Sequence, residues 1–137
     1  MIIDASNLLL GRLAATAAKK ALLGEKIDIV NCEKAVVSGN KEKILQRFKQ
    51  KKSMGIPLKG PYYPRMPDRM VRRTIRGMLP YKKEKGKNAF ERVMCYIGVP
   101  EKFKDKKMET IKEADVEKMP NLKYVSIGQI SKFLGAK

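Results

Sequence analysis

The sequence contains no histidine, only two cysteines and no long apolar run. Without histidine, the chain lacks the commonest general base, the side chain that titrates near neutral pH and the commonest metal ligand. Cys32 and Cys95 are distant in sequence and belong to no CxxC motif, so neither a zinc site nor a disulfide framework is expected. No segment approaches the roughly eighteen apolar residues of a membrane span, and the amino terminus does not resemble a signal peptide. These absences favour a soluble intracellular protein without catalytic residues, cofactor or metal.

What the chain has in excess is positive charge, concentrated in one segment. The 137 residues include 31 Lys and Arg against 14 Asp and Glu, a net charge of +17. Residues 41–87, called the basic segment below, hold sixteen of these cations and three acids, and therefore carry +13. A field this strong and this localised favours a polyanion as partner, because each phosphate neutralised by Lys or Arg releases condensed counterions.

The length predicts one domain over residues 1–137, and its first thirty residues predict an α/β class. Ile2–Ala5 is short and apolar, as expected of a buried strand, and residues 11–23 form an alanine-rich helical pattern that Gly24 ends. Ile27–Val30 predicts a second strand. A strand, a helix and a strand in this order predict a parallel pair with a crossover helix.

Farther along the chain, helical and strand patterns alternate with segments rich in breakers. The basic segment should contain a helix from Lys41, a long loop over Ser53–Pro67, a helix from Pro67 to Arg76 and a basic loop over Tyr81–Lys87. We expect that long loop to be mobile in the free protein and to be ordered by its partner. Beyond it, the patterns predict a helix over 89–97 capped by Asn88, a surface connection over 100–120, a strand over 122–125 and a terminal helix capped by Ser126 and Gln129.

The helix from Pro67 places four arginines on one face. Residues 69, 72, 73 and 76 follow the i, i+3, i+4 and i+7 spacing, whereas Val71, Ile75 and Met78 fall on the opposite side; Met78 and Leu79 are expected in the core. Four stacked like charges repel one another, and an anion along that face would justify them. The predicted phosphate contacts are Arg65, Arg69, Arg72, Arg73 and Arg76, followed by Lys49, Lys51, Lys52, Lys59, Lys82, Lys83, Lys85 and Lys87.

Tyr62, Tyr63 and Tyr81 lie among these cations. Their rings either stack on unpaired bases or pack the loops onto the domain, and the sequence leaves both interpretations open. Asp4, Ser6 and Ser38 lie near the predicted strand ends, where α/β enzymes keep catalytic groups. No base partner, GxGxxG motif or phosphate loop accompanies them, so we interpret Ser6, Asn7 and Ser38 as cap or turn residues. An RNA-modifying enzyme of methyltransferase type and a DNA-coating architectural protein are the alternative functions.

Several fragments in this order resemble the L-thirteen family of large-subunit ribosomal proteins. The matching pieces are residues 3–7 and 10–14, 30–34 and 38–41, Gly60-Pro61, Arg65-Met66-Pro67 and 76–80. The start at the first strand, the Tyr-Tyr-Pro-Arg-Met-Pro loop and the short tail are most similar to the archaeal form. The resemblance implies a three-layer α/β/α domain around a small, mostly parallel sheet of about four strands, with basic extensions on the rRNA of the cytoplasmic large subunit. It also implies neighbouring ribosomal proteins as partners, and no membrane or small-molecule substrate.

Overall fold

The computed structural model describes residues 1–136, and its strands form two small sheets. The strands are β1 (Ile2–Asp4), β2 (Ile27–Val30), β3 (Val36–Ser38), β4 (Val93–Cys95) and β5 (Tyr124–Ser126). The helices are α1 (Leu10–Leu22), α2 (Lys41–Ser53), α3 (Pro67–Met78), α4 (Glu84–Glu91) and α5 (Ile127–Phe133). None of these helices in residues 1–136 combines the length and the apolar character needed to cross a bilayer.

The main sheet is parallel and has the order β1-β2-β4. Ile3 pairs with Ile29, and Ile29 pairs with Cys95. The predicted β1-α1-β2 unit and the α/β class are confirmed, whereas β3 and β5 form a separate antiparallel pair rather than extending the main sheet. The outer edge of β2 pairs with β4. The outer edge of β1 is covered by Glu109, whose backbone bonds to that of β1.

One apolar cluster joins the sheet to α1 and α3. Ile3, Leu13 and Ile29 are fully buried there, and Met70 and Ile75 of α3 belong to the same cluster. The alanines of α1 at positions 14, 17 and 21 are also fully buried; their small side chains let the helix approach its neighbours closely. Although α3 carries the arginines, its other face is thus part of the protein core.

The region after α3 differs from the sequence prediction. A helix was expected over 89–97 with Asn88 as its cap, but α4 begins at Glu84 inside the predicted basic loop, and Val93–Cys95 form the third strand of the main sheet. Val93 and Cys95 are buried and Met94 between them is not, which is the alternation of a strand. The helical pattern was wrong because pairing with β2 decided the conformation of this short apolar run.

Two further predictions need correction. Met78 was expected in the core but is 44% exposed, because α3 ends there. The backbone of Leu79 is extended, and its side chain is buried as predicted. Residues 100–120 were expected to be a surface connection, but they also contribute buried side chains. Phe103, Ala114 and Val116 are buried in short 3₁₀ turns.

The other predicted boundaries agree with the structure. The long loop spans 54–66 between α2 and α3, and its ordering by a partner stays a prediction. The Ser126 hydroxyl accepts a hydrogen bond from the Gln129 backbone N–H at 3.2 Å, as the capping-box spacing predicts.

Candidate nucleic-acid interface

Helix α3 separates an apolar face from an arginine face. It begins with Pro67 at a first-turn position, where the missing N–H costs no helical hydrogen bond. Met70, Val71 and Ile75 are buried on one side. On the other side Arg69 is exposed, and Arg72, Arg73 and Arg76 are partly buried. We call these four arginines the arginine stripe; the structure confirms that they share one face.

Three guanidinium groups of the stripe lie over aromatic rings. The Cζ atoms of Arg72, Arg73 and Arg76 are 4.4, 4.6 and 5.4 Å from the ring centroids of Phe90, Tyr63 and Tyr81, respectively. These distances are within the roughly 6 Å range of cation–π attraction.

Two of the same side chains also bond to backbone. The Nε of Arg72 donates to the carbonyl of Val93 at 3.1 Å, and Nη1 of Arg73 donates to the carbonyl of Tyr62 at 2.9 Å. The guanidinium groups are therefore held in place by contacts that leave their charge in full.

No carboxylate of residues 1–136 neutralises the stripe. Among residues 1–136, the single ion pair within 4.0 Å joins Lys104 to Glu101, outside the basic segment. Asp68 is the acid of α3, yet it pairs with none of the arginines, and one of its carboxylate oxygens is buried without a hydrogen-bond partner. The stripe is thus an oriented set of cations whose counterions must come from outside the described chain.

Helix α2 adds cations to the same face. The Nζ of Lys51 lies 5.7 Å from the centroid of the Tyr63 ring, which Arg73 also covers. Burial lowers the pKa of Lys51, and the charges of Arg47 and Arg73 lower it further. Arg47 was not among the predicted contacts, although its i, i+4 spacing to Lys51 on a helix could have indicated it.

Other predicted lysines are directed elsewhere. The Nζ of Lys52 donates to the carbonyl of Leu134 at 2.6 Å, at the end of α5. Lys49 and Lys52 line a hollow with Phe133 and Leu134, on a different side of α2 from Lys51. Lysines bind free carbonyls at helix ends favourably, so Lys52 already has a structural role.

The remaining predicted cations are exposed. Because Arg76 covers Tyr81, the cations that follow Tyr81 begin where the stripe ends. The backbone carbonyl of Arg65 accepts a hydrogen bond from Ser131 at 2.6 Å, which ties the loop before α3 to α5. The exposed members of this group are Lys59, Arg65, Lys82, Lys83, Lys85 and Lys87.

The three tyrosines of the basic segment have different surroundings. Tyr63 packs edge-on against Phe48 at 6.0 Å, and Tyr81 packs edge-on against Phe90 at 5.4 Å. Both rings are also covered by arginines, so they pack the segment and orient the guanidinium groups. Tyr62 is 70% exposed. It borders a groove of about 240 Å³ together with Pro64, Phe90 and the four arginines of the stripe.

The polar residues at the strand ends satisfy one another. Asp4 accepts hydrogen bonds from the Ser6 hydroxyl at 2.8 Å, the Ser6 N–H at 3.0 Å and the Asn31 amide at 3.0 Å. Burial by itself would raise the pKa of Asp4, but these hydrogen bonds and the charge of Lys34 outweigh it and lower that pKa. The cluster is a turn that stabilises a carboxylate, in agreement with the turn interpretation.

The two cysteines are buried and unoxidised. A hydrogen bond with Cys32, together with burial, raises the pKa of the Cys95 thiol. Because a protonated thiol is a poor nucleophile and a poor metal ligand, these side chains act as small apolar groups in the core.

The fold and this face define a basic α/β protein with a fixed, arginine-lined surface. The chain belongs to the ribosomal protein L13 family, whose model matches residues 1–102. It is 46% identical to the large ribosomal subunit protein uL13 of Methanosarcina barkeri, with 99% of this chain and 98% of the relative covered. The uL13 proteins of Methanococcus maripaludis and Methanocaldococcus jannaschii are 47% and 45% identical; 100% and 99% of this chain and 98% of each relative are covered.

Proposed function

We propose that the chain is a structural constituent of the large subunit of the cytoplasmic ribosome, where it binds large-subunit rRNA and adjoins other ribosomal proteins. The names of its archaeal relatives support this assignment. The observation that carries it is the arginine stripe, whose side chains are oriented by rings and carbonyls but neutralised by no carboxylate among residues 1–136. Residues 1–137 act as one non-enzymatic domain, and the basic segment 41–87 faces the RNA.

Phosphate oxygens fit the stripe chemically. A guanidinium offers a planar fork of donors that matches two phosphate oxygens, and α3 presents four of them at steps of three and four residues. Successive phosphates of an RNA backbone can therefore occupy neighbouring turns. Such contacts fix register and orientation, while sequence is recognised little.

The second rank of contacts surrounds the stripe. Arg47 and Lys51 extend it over α2, and the exposed lysines after Tyr81 extend it past the end of α3. Because these cations come from separate parts of the segment, they can engage several RNA strands at once and hold them together. The proposed contacts are Arg65, Arg69, Arg72, Arg73 and Arg76, then Lys51, Lys59, Lys82, Lys83, Lys85 and Lys87, and lastly Lys49 and Lys52, which lie on another side of α2.

The test compares two variants that lose the same charge. In the first, Arg69, Arg72, Arg73 and Arg76 are replaced by Gln. In the second, four lysines outside the basic segment are replaced by Gln, namely Lys102, Lys104, Lys106 and Lys107. Binding to large-subunit rRNA is measured from about 50 to about 200 mM salt. For a protein that makes about six to ten phosphate contacts, this rise in salt weakens binding by about a thousandfold or more. We expect the stripe variant to bind more weakly, with a smaller salt dependence, and the control to resemble the unaltered protein.

Two measurements guard the comparison against misfolding. Thermal unfolding must show that the stripe variant still folds, because Arg72 and Arg73 also bond to backbone carbonyls. A milder variant, Arg69→Gln with Arg76→Gln, removes no such hydrogen bond. Equal salt slopes for the milder variant, the stripe variant and the control would contradict the proposed interface.

A further inference from the structure

Tyr62 presents an aromatic ring that is both exposed and fixed. The residue is 70% exposed, but its hydroxyl donates to the carbonyl of Pro57 at 2.8 Å and its own carbonyl accepts from Arg73 at 2.9 Å. Gly60 lies against the ring, since a Cβ on that glycine would be 3.3 Å from two ring atoms. The loop therefore holds one side of the ring and leaves the other open.

The open ring borders the groove that the stripe lines. Tyr62, Pro64 and Phe90 contribute its apolar walls, and the four arginines contribute its charge, around a volume of about 240 Å³. This volume is below the roughly 300 to 1,000 Å³ of ordinary small-molecule sites. An exposed aromatic ring beside several phosphate-binding cations is the combination with which proteins hold unpaired nucleotides.

We propose that this groove binds a single unpaired nucleotide of the RNA, with its base stacked on the ring of Tyr62 and its flanking phosphates on the arginine stripe. The inference rests on the proposed function and specifies the RNA that it needs, namely a strand with a bulged or looped-out residue. A continuous duplex keeps its bases stacked inside, so it can contact the arginines but not the ring. Tyr63 is partly buried, and Tyr81 is 42% exposed against 70% for Tyr62. An arginine and a neighbouring ring already contact each of those two side chains, so Tyr62 is the tyrosine of the segment with the most open ring.

Two RNA probes separate the ring from the charges. One is a hairpin whose stem carries a single bulged 2-aminopurine, and the other is the same hairpin with a fully paired stem. In both, a non-nucleotide linker replaces the loop, so that the bulge is the single unpaired nucleotide. Stacking on an aromatic side chain changes affinity by about 5- to 150-fold per base, and we expect the full-length protein to prefer the bulged probe by a factor in this range. The fluorescence of the 2-aminopurine should fall when the protein binds.

Variants of Tyr62 then assign the effect. Tyr62→Ala should abolish both the preference and the fluorescence change, while affinity for the paired hairpin stays the same. Tyr62→Phe keeps the ring and should retain most of the preference, although the hydrogen bond to Pro57 is lost. Tyr124→Ala is the matched control, because it removes another exposed tyrosine from β5, outside the groove.

The outcomes distinguish this inference from the proposed function. Equal affinity of the unaltered protein for the two hairpins, or a preference that survives in Tyr62→Ala, would overturn the nucleotide site. The proposed function would still stand in that case if binding kept the salt dependence of the arginine stripe. Failure of the unaltered protein to bind either hairpin or rRNA would overturn both.

Discussion

The basic segment and the rest of the chain, which we call the frame, satisfy their charges in different ways. In the frame, Asp4 accepts three hydrogen bonds, and a carboxylate oxygen of Glu33 accepts one from the Gly98 N–H at 3.0 Å. In the basic segment, by contrast, guanidinium groups lie on aromatic rings and no acid of residues 1–136 pairs with them. These carboxylates of the frame bond to groups of the same chain, whereas the cations of the basic segment are oriented but left to bind a partner.

Magnitudes explain why α3 can fold before it meets an anion. The stripe contains four like-charged pairs at i, i+3 or i, i+4 spacing, and each destabilises a helix by about 0.2–0.5 kcal/mol. Three of its arginines lie over rings, and each such contact contributes about 0.5–1 kcal/mol at an exposed site. The rings therefore offset the repulsion, so the arginine geometry can exist in the free protein.

The two regions nevertheless share one core. Met70, Val71 and Ile75 of α3 are buried in the same cluster as Ile29 of the central strand. The segment is consequently integral to the folded structure, and the arginine face is positioned by the apolar face on the opposite side of the same helix.

The largest expected effect on stability comes from truncating a side chain in this shared core. Ile75→Ala should lower the free energy of unfolding by about 2–5 kcal/mol, because a fully buried side chain is lost and a cavity remains. Met78→Ala, three residues away but 44% exposed, should change it by less than about 0.5 kcal/mol. Urea unfolding of both variants provides the measurement. Similar small losses for the two would show that the segment is an appendage and not part of the core.

Two helical glycines near the end of the basic segment differ in the space around them, and this difference predicts opposite effects on stability. A Cβ on Gly86 of α4 would lie 2.1 Å from the carbonyl oxygen of Pro80, whereas a Cβ on Gly77 of α3 would meet nothing within 4 Å. Gly86→Ala should therefore destabilise the protein by about 1–3 kcal/mol, the usual cost of overpacking. Gly77→Ala should stabilise it by up to about 1 kcal/mol, since alanine favours a helix.

Thermal and urea unfolding of these two variants test the close approach of α4 to the turn before it. A Gly86→Ala protein as stable as the Gly77→Ala protein would mean that this contact is looser than the structure shows.

The sequence was most informative where local patterns and tertiary contacts agree. The β1-α1-β2 unit, the capping of α5 and the single arginine face of α3 all follow from spacing over a few residues, and the structure has them. The three residues of β4 were missed because so short an apolar run fits a helix and a strand equally well. Only its place beside β2 decides between them, and that contact joins residues 66 positions apart, such as Ile27 and Val93.

The candidate interface shows the same limit. Charge and periodicity are local, so the arginine stripe was predictable. The roles of Tyr63 and Tyr81 were not, because each depends on an arginine from another element that covers the ring. Arg47 is close to Lys51 through the i, i+4 spacing of α2, which is a local signal. Its closeness to Tyr63, by contrast, arises from the packing of α2 beside the loop before α3.

The smallest expected effect tests the frame's side of the comparison through pH. The folded pKa of Asp4 is lowered, so its carboxylate contributes stability above the ordinary pKa of about 3.9, and this contribution is lost as pH falls through the folded pKa. Asp4→Asn should therefore lower the free energy of unfolding at about pH 7 by less than about 1 kcal/mol, because solvent screens part of the charge. The difference should shrink as pH falls below the ordinary pKa of about 3.9 and vanish below the lowered pKa of the folded state, where Asp4 itself is protonated.

The matched control is Asp105→Asn, which removes the same charge from an exposed site of the frame. Both variants raise the net charge equally, so a general effect of added positive charge would appear in the two alike. Only Asp4→Asn also replaces the carboxylate that accepts three hydrogen bonds by a neutral amide, and only its difference from the control should depend on pH. If that difference kept its size at acidic pH, the Asp4 cluster would stabilise the frame through packing and hydrogen bonds that do not need the charge. The frame would then not differ from the basic segment in how its charges are used.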